Sequence, residues 1–117
     1  MTPLAPVILI VEDEFLLRLD SAETIESAGF EVIQAANADE AIDILKACPN
    51  IHVVFTDTQM PGSMDGLKLA RFVRDRWPPI KIVTVDEDDL PDGSVFLPKP
   101  YRGAHVVATL RELTSAP

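Results

Sequence analysis

The run VILIV, Val7 to Val11, is apolar throughout, largely β-branched, and ends in the acids Glu12 and Asp13. A strand with no polar alternation has to be covered on both faces, which is the position of a central strand in a parallel sheet. A second run of this kind, HVVFTD, again ends in an acid, Asp57. From Phe15 to Ala28 the apolar residues Phe15, Leu16, Leu19, Ala22, Ile25 and Ala28 recur at helical spacing until Gly29 stops the pattern, which predicts an amphipathic helix. FEVIQA then reads as a short strand, and Ala38 to Ala47 as a helix capped by Asn37. Asp65 to Arg76 reads as a helix halted by Pro78 and Pro79, KIVTV and SVFL as strands, and Arg102 to Leu113 as a closing helix.

Strands alternating with helices imply right-handed crossovers and an α/β doubly wound parallel sheet with helices on both faces. Ligands of such sheets bind at the carboxyl ends of the strands. The 117 residues suit one domain, and with short termini poor in core formers the sequence predicts a single unit over 1–117, core about 6–114, with no output domain. No apolar run approaches the roughly 20 residues that span a bilayer. The start MTPLAP lacks the basic flank and apolar stretch of a signal peptide, so a cytoplasmic location without membrane contact is expected. Cys48, the single cysteine, excludes an internal disulfide and reads as a small half-buried filler. A formal charge of -9 opposes direct binding to a nucleic acid backbone.

Glu12, Asp13 and Asp57 all follow buried strands, so the topology should gather them. Carboxylates about 4 Å apart repel by about 4 kcal/mol per pair at an effective dielectric of about 20, a cost relieved by protonation or by a bound cation. Mg²⁺, which takes oxygen ligands and keeps several waters, is the natural guest, with Mn²⁺ as its substitute. The alternative is that Asp13 caps the first helix and Asp57 merely opens a loop. Thr84 at the end of KIVTV and Lys99 beyond the fifth strand tip the balance, since a hydroxyl and an ammonium then converge on the acids. A phosphoryl group on Asp57 would need that hydrogen bond and those two cations to neutralise its oxygens.

With VEDE (Glu12, Asp13), FTDTQMPGSMDG (Asp57), IVTV (Thr84) and LPKPY (Lys99, Pro100) in order, nearly the whole chain resembles the response-regulator receiver family. The resemblance implies a flavodoxin-like, five-stranded sheet of order 2-1-3-4-5. It implies phosphorylation of Asp57 and metal binding by the Asp13 and Asp57 carboxylates, with the Gln59 backbone carbonyl as a further ligand and Glu12 acting mainly through water. Thr84 corresponds to the switch hydroxyl, Lys99 to the phosphoryl contact, Phe96 to the switch aromatic, and the Lys99–Pro100 peptide to the family's cis bond. The implied partners are a histidine kinase or histidine phosphotransfer protein and a downstream protein target, with a homodimer as a further option. The implied role is a stand-alone signalling switch rather than an enzyme.

Departures from the family pattern bear on that role. VDEDDLPDGSV, where the family has its fourth helix, carries a Pro, a Gly and five acids, so that helix should be short or missing. Val85 replaces the usual small residue and should narrow access to Asp57, Gln59 and Asp86 hold the positions that tune hydrolysis, and the loop PGSMDG is longer than usual. A degenerate receiver acting as a phosphorylation-independent interaction module and a phosphate sink are the alternatives within the class. A Mg²⁺-dependent phosphatase would need an acid at position 59, where this chain has Gln. His52 and His105 lack ligand-spaced partners and receive no role, and Asp86 to Asp89 read as solvated loop acids.

Overall fold

A strand without a polar side is stable only between two layers, and the chain supplies both. The computed structural model describes residues 5–48, 50–56, 66–84, 94–97 and 103–114. In chain order the elements are β1 (Val7–Val11), α1 (Phe15–Ser27), β2 (Glu31–Ala35), α2 (Ala38–Ala47), β3 (Ile51–Thr56), α3 (Gly66–Arg76), β4 (Lys81–Thr84), β5 (Ser94–Phe96) and α4 (Gly103–Thr114). The sheet has the order β2-β1-β3-β4-β5, and every pairing is parallel. This is the doubly wound parallel sheet that the strand and helix alternation predicted, with the flavodoxin-like strand order that the family resemblance implied. Residues 85–93, where a short or missing fourth helix was expected, lie outside the described residues, and β5 begins directly after them at Ser94.

Alternation along each strand divides the core in two. Val7, Leu9, Val11, Val54 and Ile82 face α2 and α3, where they meet Ala41, Leu45, Leu69 and Val73. Ile8, Ile10, Val53, Phe55 and Val83 face the other way and pack on Ala22 and Ile25 of α1 and Val106 and Leu110 of α4. Each fully buried Leu or Ile contributes about 1.5–3 kcal/mol by leaving water, which is why the helices are held by these stripes rather than by propensity. Cys48 is half-buried against the first cluster, the filler role expected of it.

Local signals end the helices where the sequence suggested. Asn37 caps α2 by accepting from the Glu40 N–H at 2.9 Å, and the Glu40 carboxylate accepts from the Ala36 N–H at 2.8 Å. Gly29, at φ 99°, turns the chain out of α1 in the left-handed region that other residues enter at a cost. Trp77 N–H closes the last turn of α3 onto the Val73 carbonyl before Pro78. Among the described residues no helix is long and apolar enough to cross a membrane.

Two features were not legible in the pattern. In α1 only Ala22 and Ile25 are buried, while Phe15, Leu16, Leu17 and Leu19 are 60%, 70%, 48% and 36% exposed. The helix starts past the carboxyl end of β1, where the sheet has run out, and its inward line continues from Ile25 and Ala22 to the half-buried Arg18 instead. The second feature is a bulge in β3. Val7 pairs with Ile51 but Ile8 with Val53, so His52 is an extra residue, and its Nδ1 accepts from the Val7 N–H at 3.0 Å.

Gly103 opens α4 against α1. A β-carbon built there would lie 2.9 Å from Thr24 Cγ2, inside van der Waals contact. Alanine normally gains about 0.5–1 kcal/mol over glycine in a helix, but overpacking costs about 1–3 kcal/mol. Gly103→Ala is therefore expected to lower stability by about 1 kcal/mol in urea denaturation. Combining it with Thr24→Ser, which deletes the opposing methyl, should restore the loss, whereas a stabilising single substitution would show that the two helices separate freely.

Candidate functional site

All five strands reach one common level. Ala35, Val11, Thr56, Thr84 and Phe96 are paired in sequence across the sheet and form its last complete rung at the carboxyl edge. Thr56 and Thr84 are the buried polar residues among those described, each 0% exposed, and they are directly opposite one another. They follow Val54 and Ile82 by two positions and so belong to the α2 and α3 side of the sheet. Thr84 Oγ1 is buried and has no hydrogen-bond partner among the described residues. An orphaned buried hydroxyl costs about 1–3 kcal/mol, an expense that structures carry where the group serves another purpose.

One residue past this rung, Glu12 is half-buried and its N–H donates to the Ala35 carbonyl at 3.1 Å. Its carboxylate accepts from the Glu14 N–H at 3.1 Å, and its carbonyl accepts from Arg18 Nη1 at 2.8 Å. Asp13 is exposed. The N-cap of α1 is Glu14, which makes no side-chain cap bond, so the helix-capping alternative for Asp13 is not what the chain does. On the other side, the Leu97 N–H donates to the Thr84 carbonyl at 2.7 Å and extends the ladder beyond β5.

Of the residues singled out from the sequence, Glu12, Asp13 and Thr84 are thus brought to one edge, and the backbone of Phe96 is paired with Thr84. Asp57, Gln59, Lys99 and Pro100 lie outside the described residues. Among the described residues no cluster of three or more His, Cys, Asp or Glu forms a metal site. The donors that β1 does bring to the edge, Glu12 and Asp13, are hard oxygen ligands, the type that Mg²⁺ or Mn²⁺ accepts. Sequence reasoning missed Arg18 and Thr56. Arg18 sits at the i, i+4, i+7 line of Ala22 and Ile25, and Thr56 is a polar residue in an otherwise apolar strand end, so both left a trace in the pattern.

A family model for the response regulator receiver domain matches residues 8–111. The chain is 34% identical over 116 residues to the sensor kinase CckA of Brucella abortus (strain 2308), an alignment covering 91% of this chain and 12% of that protein. It is also 34% identical over 116 residues to the C4-dicarboxylate transport transcriptional regulatory protein DctD of Rhizobium meliloti (strain 1021), covering 92% of this chain and 25% of DctD. The solved receiver domain of the hybrid histidine kinase CckA superposes with a TM-score of 0.81 at 28% identity, over 93% of this chain and 99% of that one. The chain belongs to the response-regulator receiver family of two-component signalling proteins. It matches about an eighth to a quarter of the length of the two curated relatives, at the 12% and 25% given above.

The orphaned hydroxyl makes a stability prediction. Thr84→Val keeps the side-chain shape and removes the unpaired oxygen, so it should raise the unfolding free energy by about 1 kcal/mol in urea. A loss of similar size would mean that the hydroxyl is hydrogen-bonded in solution.

Proposed function

We propose that this chain is a phosphorylation-controlled switch in which Asp57 accepts a phosphoryl group from a histidine kinase or histidine phosphotransfer protein, and that it signals by protein contact. The observation that carries the proposal is the buried, unpartnered hydroxyl of Thr84. It lies in the same rung as Thr56, the residue directly before Asp57, and the Thr56 strand β3 pairs in turn with β1, the strand that ends in Glu12 and Asp13. A phosphoryl oxygen is a fitting acceptor for that hydroxyl, and the need for one explains why the structure tolerates it unpaired.

In this reading Asp13 and Asp57, with the Gln59 carbonyl and Glu12 through water, hold Mg²⁺ or Mn²⁺, which would neutralise charge on the transferring group. Lys99 supplies a second positive charge to the phosphoryl oxygens, and Thr84 turns towards them. Phe96, paired with Thr84 through the backbone, would respond to that turn as the switch aromatic, a shift between two packings rather than a new fold. The acceptor is consumed and regenerated on one chain, so the protein acts as a switch rather than as an enzyme on a separate substrate. With a formal charge of -9, the target is a protein with a basic face rather than nucleic acid, and the same proposal places the chain in the cytoplasm.

Intact-mass spectrometry after incubation with acetyl phosphate, with and without Mg²⁺, tests this on the wild type and on Asp57→Asn. The expected result is one phosphoryl adduct that requires the metal and is absent from Asp57→Asn. No adduct, with this donor and with a phosphoramidate, would assign the chain instead to phosphorylation-independent interaction, with Val85 as the first suspect. An adduct lost within seconds, and no partner that prefers the phosphorylated form, would identify a phosphate sink.

A further inference from the structure

Arg18 has a use for its charge that its neighbours do not explain. Glu12, Asp13, Glu14 and Asp20 are all close in sequence, yet among the described residues the guanidinium donates to a main-chain oxygen, the Glu12 carbonyl, at 2.8 Å. Its Cζ lies 5.4 Å from the centroid of the Phe15 ring, a cation–π contact on the solvent side. Phe15 is 60% exposed, so the ring is not there to fill the core. It backs the guanidinium.

The Glu12 carbonyl belongs to the same planar unit as the Asp13 N–H and Asp13 Cα. A hydrogen bond to that oxygen therefore fixes the plane from which Asp13 departs. The next peptide unit is held as well, because the Glu14 N–H donates to the Glu12 carboxylate at 3.1 Å. Asp13 thus stands between two fastened peptide units while its own carboxylate stays exposed. Two rotatable backbone angles at one residue have been restricted without using the side chain that would bind the ion. That is preorganisation of a ligand by its surroundings.

We infer that Arg18, braced by Phe15, is a positioning residue that sets the divalent-cation affinity of the Glu12–Asp13 turn. The inference rests on the metal-site reading proposed above and goes beyond it. Its sign separates it from plain electrostatics. By charge alone, removing a cation beside two carboxylates tightens binding of Mg²⁺. By positioning, removing it frees the Glu12–Asp13 peptide and weakens binding.

Isothermal titration of Mg²⁺ into the unphosphorylated full chain distinguishes the two, with thermal melts to confirm that each variant is folded. Arg18→Met is expected to bind Mg²⁺ about tenfold more weakly, the scale of losing a group that orients a metal ligand. Arg18→Lys, whose ammonium can still donate to the carbonyl, should recover part of that loss. Phe15→Leu changes only an exposed ring and should weaken binding about two- to fivefold, the factor a surface cation–π contact supplies. Unchanged or tighter binding in Arg18→Met, while Asp13→Asn abolishes it, would overturn the inference and leave the site intact. A wild type that takes up no Mg²⁺ would overturn the site and the inference together.

Discussion

Strands buried on both faces can display chemistry only at their ends, and in this chain all five strands end on a common rung. Ala35, Val11, Thr56, Thr84 and Phe96 are tied by parallel backbone pairing, so their relative positions are set by a hydrogen-bond ladder rather than by side-chain packing. The two helical layers exist to cover the faces, and each is held by its own apolar cluster. Everything past the rung inherits its placement from the ladder. A site assembled in this way has its foundation set by the backbone ladder.

The polar groups at that edge are treated unequally. Glu12 is bonded through its N–H, its carbonyl and its carboxylate. Thr84, buried in the rung two strands away, is left without a partner among the described residues. Among the described residues, a buried hydroxyl without a partner thus stands at the residue that family resemblance names as the switch.

Much of this was readable in advance because the governing signals are local. Unbroken runs such as VILIV can only be central strands, and Asn37 and Gly29 mark helix ends through chemistry confined to a few neighbours. Glu12, Asp13 and Thr84 could be placed because the carboxyl end of a strand is a position in sequence as well as in space. The first turns of α1 were misread because apolar spacing reports a stripe, not where the sheet beneath it stops. Arg18 took the inward position at that point and left Phe15, Leu16 and Leu17 in solvent. The roles of His52 and Thr56 depended on strand register, and register is a relation between distant segments that neither segment encodes alone.

The bulge at His52 shows how the sheet measures its own length. It sits at the amino end of the β1–β3 pair, opposite the carboxyl edge, and adds one residue to β3 without adding one to β1. From Ile8 onwards the two strands run in step, so Val11 opposes Thr56 and not Phe55. The irregularity is thereby discarded at the end where nothing depends on it, and the imidazole fills the gap left in the ladder. Seen as engineering tolerance, the fold has a datum edge and a waste edge. Insertions and deletions near Ile51 can be absorbed by re-forming or erasing one bulge, while a single residue gained or lost between Val53 and Thr56 would carry every later side chain to the wrong face and the wrong level.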